Sequence, residues 1–473
     1  MADDLCQLTA CEAVDLLHAG EVTPLDLVEA SAKRIAAVDA ELNAIPTLCP
    51  DRARDHARRI MAGTDAAGLL GGLPVGIKDL SPVAGVRSTW GSPVFSGHVP
   101  ARSSFIVETL EAQGGIVMGK TNTPEFGAGG STFNEVFGKT RNPWDSRKSV
   151  AGSSGGSAAA VASGAVFAAL GSDLGGSLRM PASFNGIVGL RPSPGVCPFG
   201  PEEYAFSHLS VEGPMGRTAA DVALMLDALA RRHAEDPLSV GNISGESYLS
   251  QVQNRRPPGR VAFAPDLGGI MPVDPMVQEI CRAAADKFRE AGVEVIEDCP
   301  DLTAAADCFQ TLRAAWFVAN MGPLIREHRD QFKPEIIWNY EKGAALTADE
   351  IGQAERQRSA IYRSMQDFFR RYDLLLCPTT IVPPFDVDVR YVEEAAGVKF
   401  DNYIDWVTAT SAISVSGCPA ASAPAGFTDE GLPVGIQIIG PMHGDGRVLA
   451  AVALLDEMTG YSKLLPVDPR ICH

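Results

Sequence analysis

Two glycine- and serine-rich stretches decide how this chain is read: Ala151-Gly152-Ser153-Ser154-Gly155-Gly156-Ser157 and Gly171-Ser172-Asp173-Leu174-Gly175-Gly176-Ser177-Leu178-Arg179. Glycine lets backbone approach a ligand closely and adopt positive φ. Successive peptide N–H groups in such loops converge on an anion, while serine brings hydroxyls. A phosphate-binding loop would need Gly-Lys-Ser/Thr in a strand–loop–helix setting, and neither stretch supplies it. Gly152 to Gly156 fits the short nucleophile-elbow pattern centred on Ser154, but Arg147-Lys148-Ser149-Val150-Ala151 before it is no buried strand. No histidine stands in a suggestive context either. The third reading beside these two is a serine hydrolase whose base is not histidine, for which lysine is the natural substitute.

Upstream, Gly72-Leu73-Pro74-Val75-Gly76-Ile77-Lys78-Asp79 ends an apolar run on a lysine. Burial there would lower the amine's pKa. A lone lysine is more often a solvated surface residue, so Lys78 gains weight only from the company it keeps. Asp79 follows it directly, but neighbouring strand residues face opposite sides and the two need not pair.

The surrounding chain alternates helical and strand periodicity, which marks an α/β protein. Thr23-Pro24 caps a helix with apolar positions at Val28, Ala32, Ile35, Val38 and Leu42. Further helices are expected over 10–18, before Gln113, and over 157–163, 218–231, 276–291, 348–372, 404–414 and 447–459. Strands are expected over 73–77, 116–118, 166–170, 260–264, 293–296, 374–377 and 433–439. Residues 234–258 read as a surface connection, and no 20- to 50-residue period marks a repeat protein.

The net charge of −18 repels phosphates and anionic lipid, which sets aside nucleic acid and membrane as partners. The start, Met1-Ala2-Asp3-Asp4-Leu5, lacks the basic and apolar regions of a secretory signal, so a cytoplasmic protein with reduced thiols is expected. The cysteines show neither Cys-x-x-Cys pairs nor zinc spacing, and no metal or cofactor is called for.

Taken together, the segments resemble the amidase-signature family: G-G-L-P-V-G-I-K-D, T-N-T-P-E-F-G, R-N-P-W-D, A-G-S-S-G-G-S-A-A-A-V-A-S-G and G-S-D-L-G-G-S-L-R-M-P-A-S, in that order. Ser153 and Ser177 lie 24 residues apart, the family interval, and Gly431 to Gln437 also fits. The distinctive core spans about 71–192, after an N-terminal helical region over 1–70, and the resemblance covers nearly the whole chain. It implies one α/β domain over 1–473, a large twisted mixed β-sheet surrounded by helices.

The resemblance also implies roles. Ser177 is the acylated nucleophile, Ser153 the bridging serine after a cis Gly152–Ser153 peptide, and Lys78 the base. Backbone N–H groups of Leu174, Gly175, Gly176 and Ser177 form the oxyanion hole. Phe126, Gly127, Gly129, Gly130 and Ser131 line the substrate pocket, with the 197–208 loop and the region from Trp316 to Trp338 shaping it. The chain departs from the pattern at Leu174, where many members have Thr or Ile, and at Ala151, where they have Gly.

Asp173 and Arg179, beside the nucleophile, read as loop braces, and Trp144, Trp316, Tyr403 and Trp406 as packing aromatics. The expected activity is cleavage of a small amide, ester or carbamate through an acyl-enzyme, with a homodimer as the expected assembly. The alternative within the family is the glutamine-hydrolysing A-subunit of a tRNA-dependent amidotransferase. That subunit carries Ala-Ser-Ser-Leu-Asp-Gln, where this chain has Phe206-Ser207-His208-Leu209-Ser210-Val211-Glu212-Gly213-Pro214. A non-enzymatic binding protein is the distant third reading.

Overall fold

The computed structural model describes residues 5–201, 204–207 and 209–472, so the readings of the first four residues and of His208 lie outside the described residues. One mixed sheet of 11 strands organises the chain. In chain order they are β1 (Thr47–Leu48), β2 (Pro74–Lys78), β3 (Ile116–Thr121), β4 (Ala168–Asp173), β5 (Val188–Arg191), β6 (Val211–Gly216), β7 (Arg260–Phe263), β8 (Glu294–Glu297), β9 (Leu374–Pro378), β10 (Ala420–Phe427) and β11 (Pro433–Ile439). Across the sheet they run β1-β3-β2-β4-β6-β5-β10-β11-β9-β7-β8. β2 pairs parallel with both β3 and β4, whereas β6, β5, β10 and β11 form an antiparallel centre. Helices cover both faces, as the continuous burial of β2, β3 and β9 requires.

Local chemistry explains the helices that the pattern signals. Thr23 accepts from Asp26 N and Asp26 reaches back to Thr23 N, a reciprocal cap on Pro24–Leu42. Thr218 and Asp221 do the same for Ala219–Leu229, and Thr347 and Glu350 for Ala348–Phe368.

Several elements lack such signals. The helix Ala305–His328 contains Pro323 and presents apolar residues on more than one side, because it packs against three other helices. Pro50–Met61, Arg179–Asn185 and Pro334–Ala344 are helices as well, and Tyr248–Gln253 is a helix inside the expected surface connection, with Tyr248 and Val252 buried. The N-terminal stretch contributes the edge strand β1 besides its helices. All ten cysteines are free, and no helix among the described residues is long and apolar enough to cross a membrane.

The fold places the site at the parallel edge of this centre. β2 delivers Lys78 at its C-terminal end, and β4, next to it, delivers Ser172 and Asp173. The helix Gly155–Ala162 starts just after Ser153, and Arg179–Asn185 just after Ser177. Both serines therefore sit in turns that open helices. The Gly152–Ser153 peptide is cis.

Candidate active site

Lys78 is fully buried, and its amine donates to Ser153 Oγ at 2.7 Å and Ser172 Oγ at 3.0 Å, with Ser172 O at 3.4 Å. No carboxylate lies within ion-pair distance of it among the described residues. Burial lowers its pKa from 10.5 to about 7, against the opposing fields of Asp173 and Glu212. Ser172 is the residue that sequence reasoning missed; one hydroxyl in a glycine-rich strand carries no signature of its own. Asp79, on the other face of the strand, lies 3.2 Å from Lys120 and accepts from Thr89 Oγ1 at 2.6 Å.

Ser177 is half-buried and shares the wall of one cavity of about 500 Å³ with Ser153 and Ser172. Its hydroxyl makes no hydrogen bond among the described residues, and its carbonyl accepts from Ser154 N at 3.2 Å. The structure thus joins Lys78 to Ser153 directly and brings Ser177 to the same cavity without a recorded hydrogen bond between the two serines.

The loop before Ser177 is held from behind. Asp173 is paired with Arg179 at 2.9 Å and Arg191 at 3.2 Å, all three fully buried. Burial would raise the Asp173 carboxyl, but the two guanidinium groups reverse this and hold it well below the usual carboxylate range. Asp173 also accepts from Gly176 N at 2.8 Å and Leu178 N at 3.2 Å. Gly176 therefore departs from the expected set of oxyanion donors: its N–H is already engaged by a carboxylate. The N–H groups of Leu174, Gly175 and Ser177 donate to no other group among the described residues. Thr410 Oγ1 fixes Gly175 O at 2.6 Å, and Arg179 reaches Thr410 O at 3.0 Å.

The pocket expectations divide. Phe126, Gly127, Gly129 and Gly130 line the cavity, whereas Ser131 is buried behind Gly152 and does not reach it. At Gly127, φ is +68°, and a Cβ there would stand 3.2 Å from Ser153 Oγ, so glycine leaves the Ser153 hydroxyl its room. Trp316 and Tyr403 line the cavity. Trp406 instead backs Gly130, and Trp144 lies elsewhere, bonded to Asn185 O at 2.9 Å. From the 197–208 loop, Phe199, Gly200 and Pro201 reach the wall. The missed helix Ala305–His328 supplies much of the rest, with Phe309, Arg313, Trp316, Phe317 and Met321 on the cavity.

The mixed sheet brings a buried lysine–serine pair and a second serine to one cavity, and the proteins this chain resembles make it an amide-hydrolysing α/β enzyme. The chain belongs to the amidase family, whose model, described as Amidase, matches residues 26–449, and this bears out the resemblance to the amidase-signature enzymes. It is 32% identical to an acylamidase of Rhodococcus erythropolis over 98% of this chain and 97% of that protein. It is 31% identical to the A-subunit of a glutamyl-tRNA(Gln) amidotransferase of Lacticaseibacillus paracasei over 96% of this chain and 98% of that one. Among solved structures, a bacterial aryl acylamidase of the amidase-signature family superposes with a TM-score of 0.90 at 30% identity, covering 98% of this chain and 99% of that one.

Proposed function

We propose that this chain is a free-standing amidase that cleaves small amides through an acyl-enzyme, with Ser177 as nucleophile, Ser153 as proton relay and Lys78 as base. The observation that carries this reading is that Lys78 is fully buried, drawn to about 7, 2.7 Å from a serine hydroxyl and, among the described residues, without a carboxylate at ion-pair distance. A serine hydroxyl attacks only when its proton has somewhere to go, and a neutral amine accepts it at neutral pH.

Neutral Lys78 takes the Ser153 proton as Ser153 takes that of Ser177, and Ser177 Oγ bonds to the substrate carbonyl carbon. The oxygen that becomes negative meets the free N–H groups of Leu174, Gly175 and Ser177, each worth about 3 kcal/mol in such a site. Collapse breaks the C–N bond, and the proton returns through Ser153 to the leaving nitrogen. Water then attacks the acyl-enzyme by the same relay and releases the acid. Esters and carbamates fit the same steps.

The relatives fall on both sides of the acylamidase–amidotransferase division, so the cavity decides the preference. Its aromatic wall, with Trp90, Phe95, Phe126, Phe309, Trp316 and Phe317, suits an apolar or aryl amide of small size. Purified alone, the chain is expected to hydrolyse aryl anilides, to be labelled by a fluorophosphonate, and to lose both in Ser177→Ala. Labelling of Ser177→Ala at the wild-type level contradicts the nucleophile. Glutamine hydrolysis that appears only with partner subunits present contradicts the free-standing role.

A further inference from the structure

The cavity is apolar in most of its wall but not in all of it. Arg313, on the helix Ala305–His328, lines it, and that residue is only 6% exposed. Two other buried arginines, Arg179 and Arg191, are paired with Asp173, and a third, Arg217, is held by the backbone carbonyls of Cys6, Gln7 and Leu8. Arg313 differs. Among the described residues no Asp or Glu lies within ion-pair distance of it; Nη1 donates to the neutral amide oxygen of Asn339, and the guanidinium carbon lies 4.8 Å from the Phe317 ring centroid and 5.4 Å from that of Tyr403. The Tyr403 hydroxyl is the other polar group the guanidinium meets, and it too is neutral. Asn339 is in turn occupied with Glu335 O and Tyr403 OH. The nearby carboxylates have other partners: Glu335 holds Arg390 in a forked pair, and Glu125 accepts from Ser92 Oγ at 2.7 Å and Lys333 N at 3.0 Å. The guanidinium therefore meets the cavity with its charge unmatched.

A buried cation without a counter-ion costs free energy that a ligand's anion recovers. In a chain of net charge −18, keeping such a group on the wall of the catalytic cavity selects for what enters it. We infer that Arg313 is a carboxylate receptor, and that the preferred substrates are amides bearing a second, anionic group that the guanidinium fork binds. This inference rests on the proposed amidase reading of the same cavity and deepens it by naming the substrate class.

The helix gives the spacing. Phe309 abuts Gly175, where a Cβ would come within 2.6 Å of its ring. Arg313 follows four residues later, about 6 Å further along the helix axis. The substrates to test first therefore carry the carboxylate on a short spacer of about two to four carbons from the scissile carbonyl. A planar, permanently charged fork suits a carboxylate better than a lysine would.

The test compares matched substrates. Glutaryl-4-nitroanilide against pentanoyl-4-nitroanilide places the carboxylate on the acyl side, and the anilide of 4-aminobenzoate against that of 4-aminobenzamide places it on the amine side. In the wild type, kcat/KM for the carboxylated member of one pair should exceed its neutral partner by about tenfold or more, chiefly through KM, the size of a charge-assisted hydrogen bond. Arg313→Gln should bring that ratio to about one and Arg313→Lys should restore part of it, whereas a merely structural role lowers both members equally. A ratio near one in the wild type for both pairs, or a ratio unchanged in Arg313→Gln, overturns the inference.

A second measurement does not depend on turnover. In Ser177→Ala, calorimetric titration should show glutarate binding more tightly than pentanoate, with the difference lost when Arg313→Gln is added. Glutarate binding no tighter than pentanoate overturns the receptor, whether or not the wild type hydrolyses any anilide. Tight glutarate binding without anilide hydrolysis keeps the receptor and overturns the amidase reading.

Discussion

Lys78 and Lys120 sit on neighbouring parallel strands, one residue apart in register, and both are completely buried. Burial pushes both amines down, and there the likeness ends. Lys120 faces Asp79 at 3.2 Å, Ser81 O at 2.7 Å and Ser88 Oγ at 3.0 Å. Among the described residues, Lys78 hydrogen-bonds only to two serine hydroxyls and a carbonyl. The alternation of β2 does the sorting: Asp79 follows Lys78 but points to the other side and serves the other lysine. Burial is thus common to a structural ion pair and a candidate base. The counter-ion separates them, because a carboxylate would hold the ammonium charged and useless as a proton acceptor.

The largest test of this contrast is to delete each amine in turn. Lys78→Met should lower turnover by about 10⁴-fold, the scale seen when a coupled catalytic unit loses a member, while the protein stays folded. Lys120→Met should do the reverse. It strands Asp79 as a buried carboxylate and should cost about 3–5 kcal/mol of stability in denaturant unfolding, with turnover per folded molecule retained. Equal losses of activity in the two variants would erase the distinction.

pH sharpens the contrast next. On the proposed reading Lys78 works neutral, so kcat/KM should be flat above its pKa of about 7 and fall tenfold per unit below it. The same shift has a stability consequence of definite sign. The unfolded lysine keeps its proton up to 10.5 and the folded one only up to about 7, so between those values the unfolded state binds more protons and stability rises with pH. The contribution is fully present above 10.5 and is lost as pH falls through about 7. Unfolding curves of wild type and Lys78→Met across pH 7 to 10 should diverge in slope accordingly; parallel curves would place the amine's pKa near its ordinary value.

What the sequence disclosed follows the same line between local and non-local causes. The reciprocal caps at Thr23, Thr218 and Thr347 and the apolar run ending at Lys78 are local, and those elements were legible. β10, Ala-Ala-Ser-Ala-Pro-Ala-Gly-Phe, has almost no β-formers; it is a strand because β5 and β11 pair with it, with a register shift that accommodates Pro424. The helix Ala305–His328 hides behind Pro323 and its apolar residues on several sides. In the candidate site, Lys78, Ser153 and Ser177 draw attention in the sequence only jointly. Ser172 and Arg313 do not, since the first matters through the β2–β4 pairing and the second through a carboxylate it lacks. Gly176 carries the opposite lesson: a motif counts its N–H among the donors, but geometry gives it to Asp173.

The smallest effect belongs to Ser172, and it tests whether Lys78 is oriented as well as uncharged. A neutral amine has two N–H donors and one lone pair. With Ser172 Oγ at 3.0 Å and Ser172 O at 3.4 Å taking the two donors, the lone pair is left for Ser153 at 2.7 Å, the direction from which a proton must arrive. Ser172→Ala removes one of these acceptors without touching charge or burial. Losing a single hydrogen bond is worth about 1 kcal/mol, so the plateau of kcat/KM should drop roughly fivefold. The ammonium loses an acceptor too, which disfavours the charged form and should move the acid limb below that of the wild type. A lower plateau with a limb at lower pH identifies an orienting hydroxyl. An unchanged plateau, or a limb displaced to higher pH, would mean that burial alone governs Lys78 and that its neighbour on β4 is a bystander.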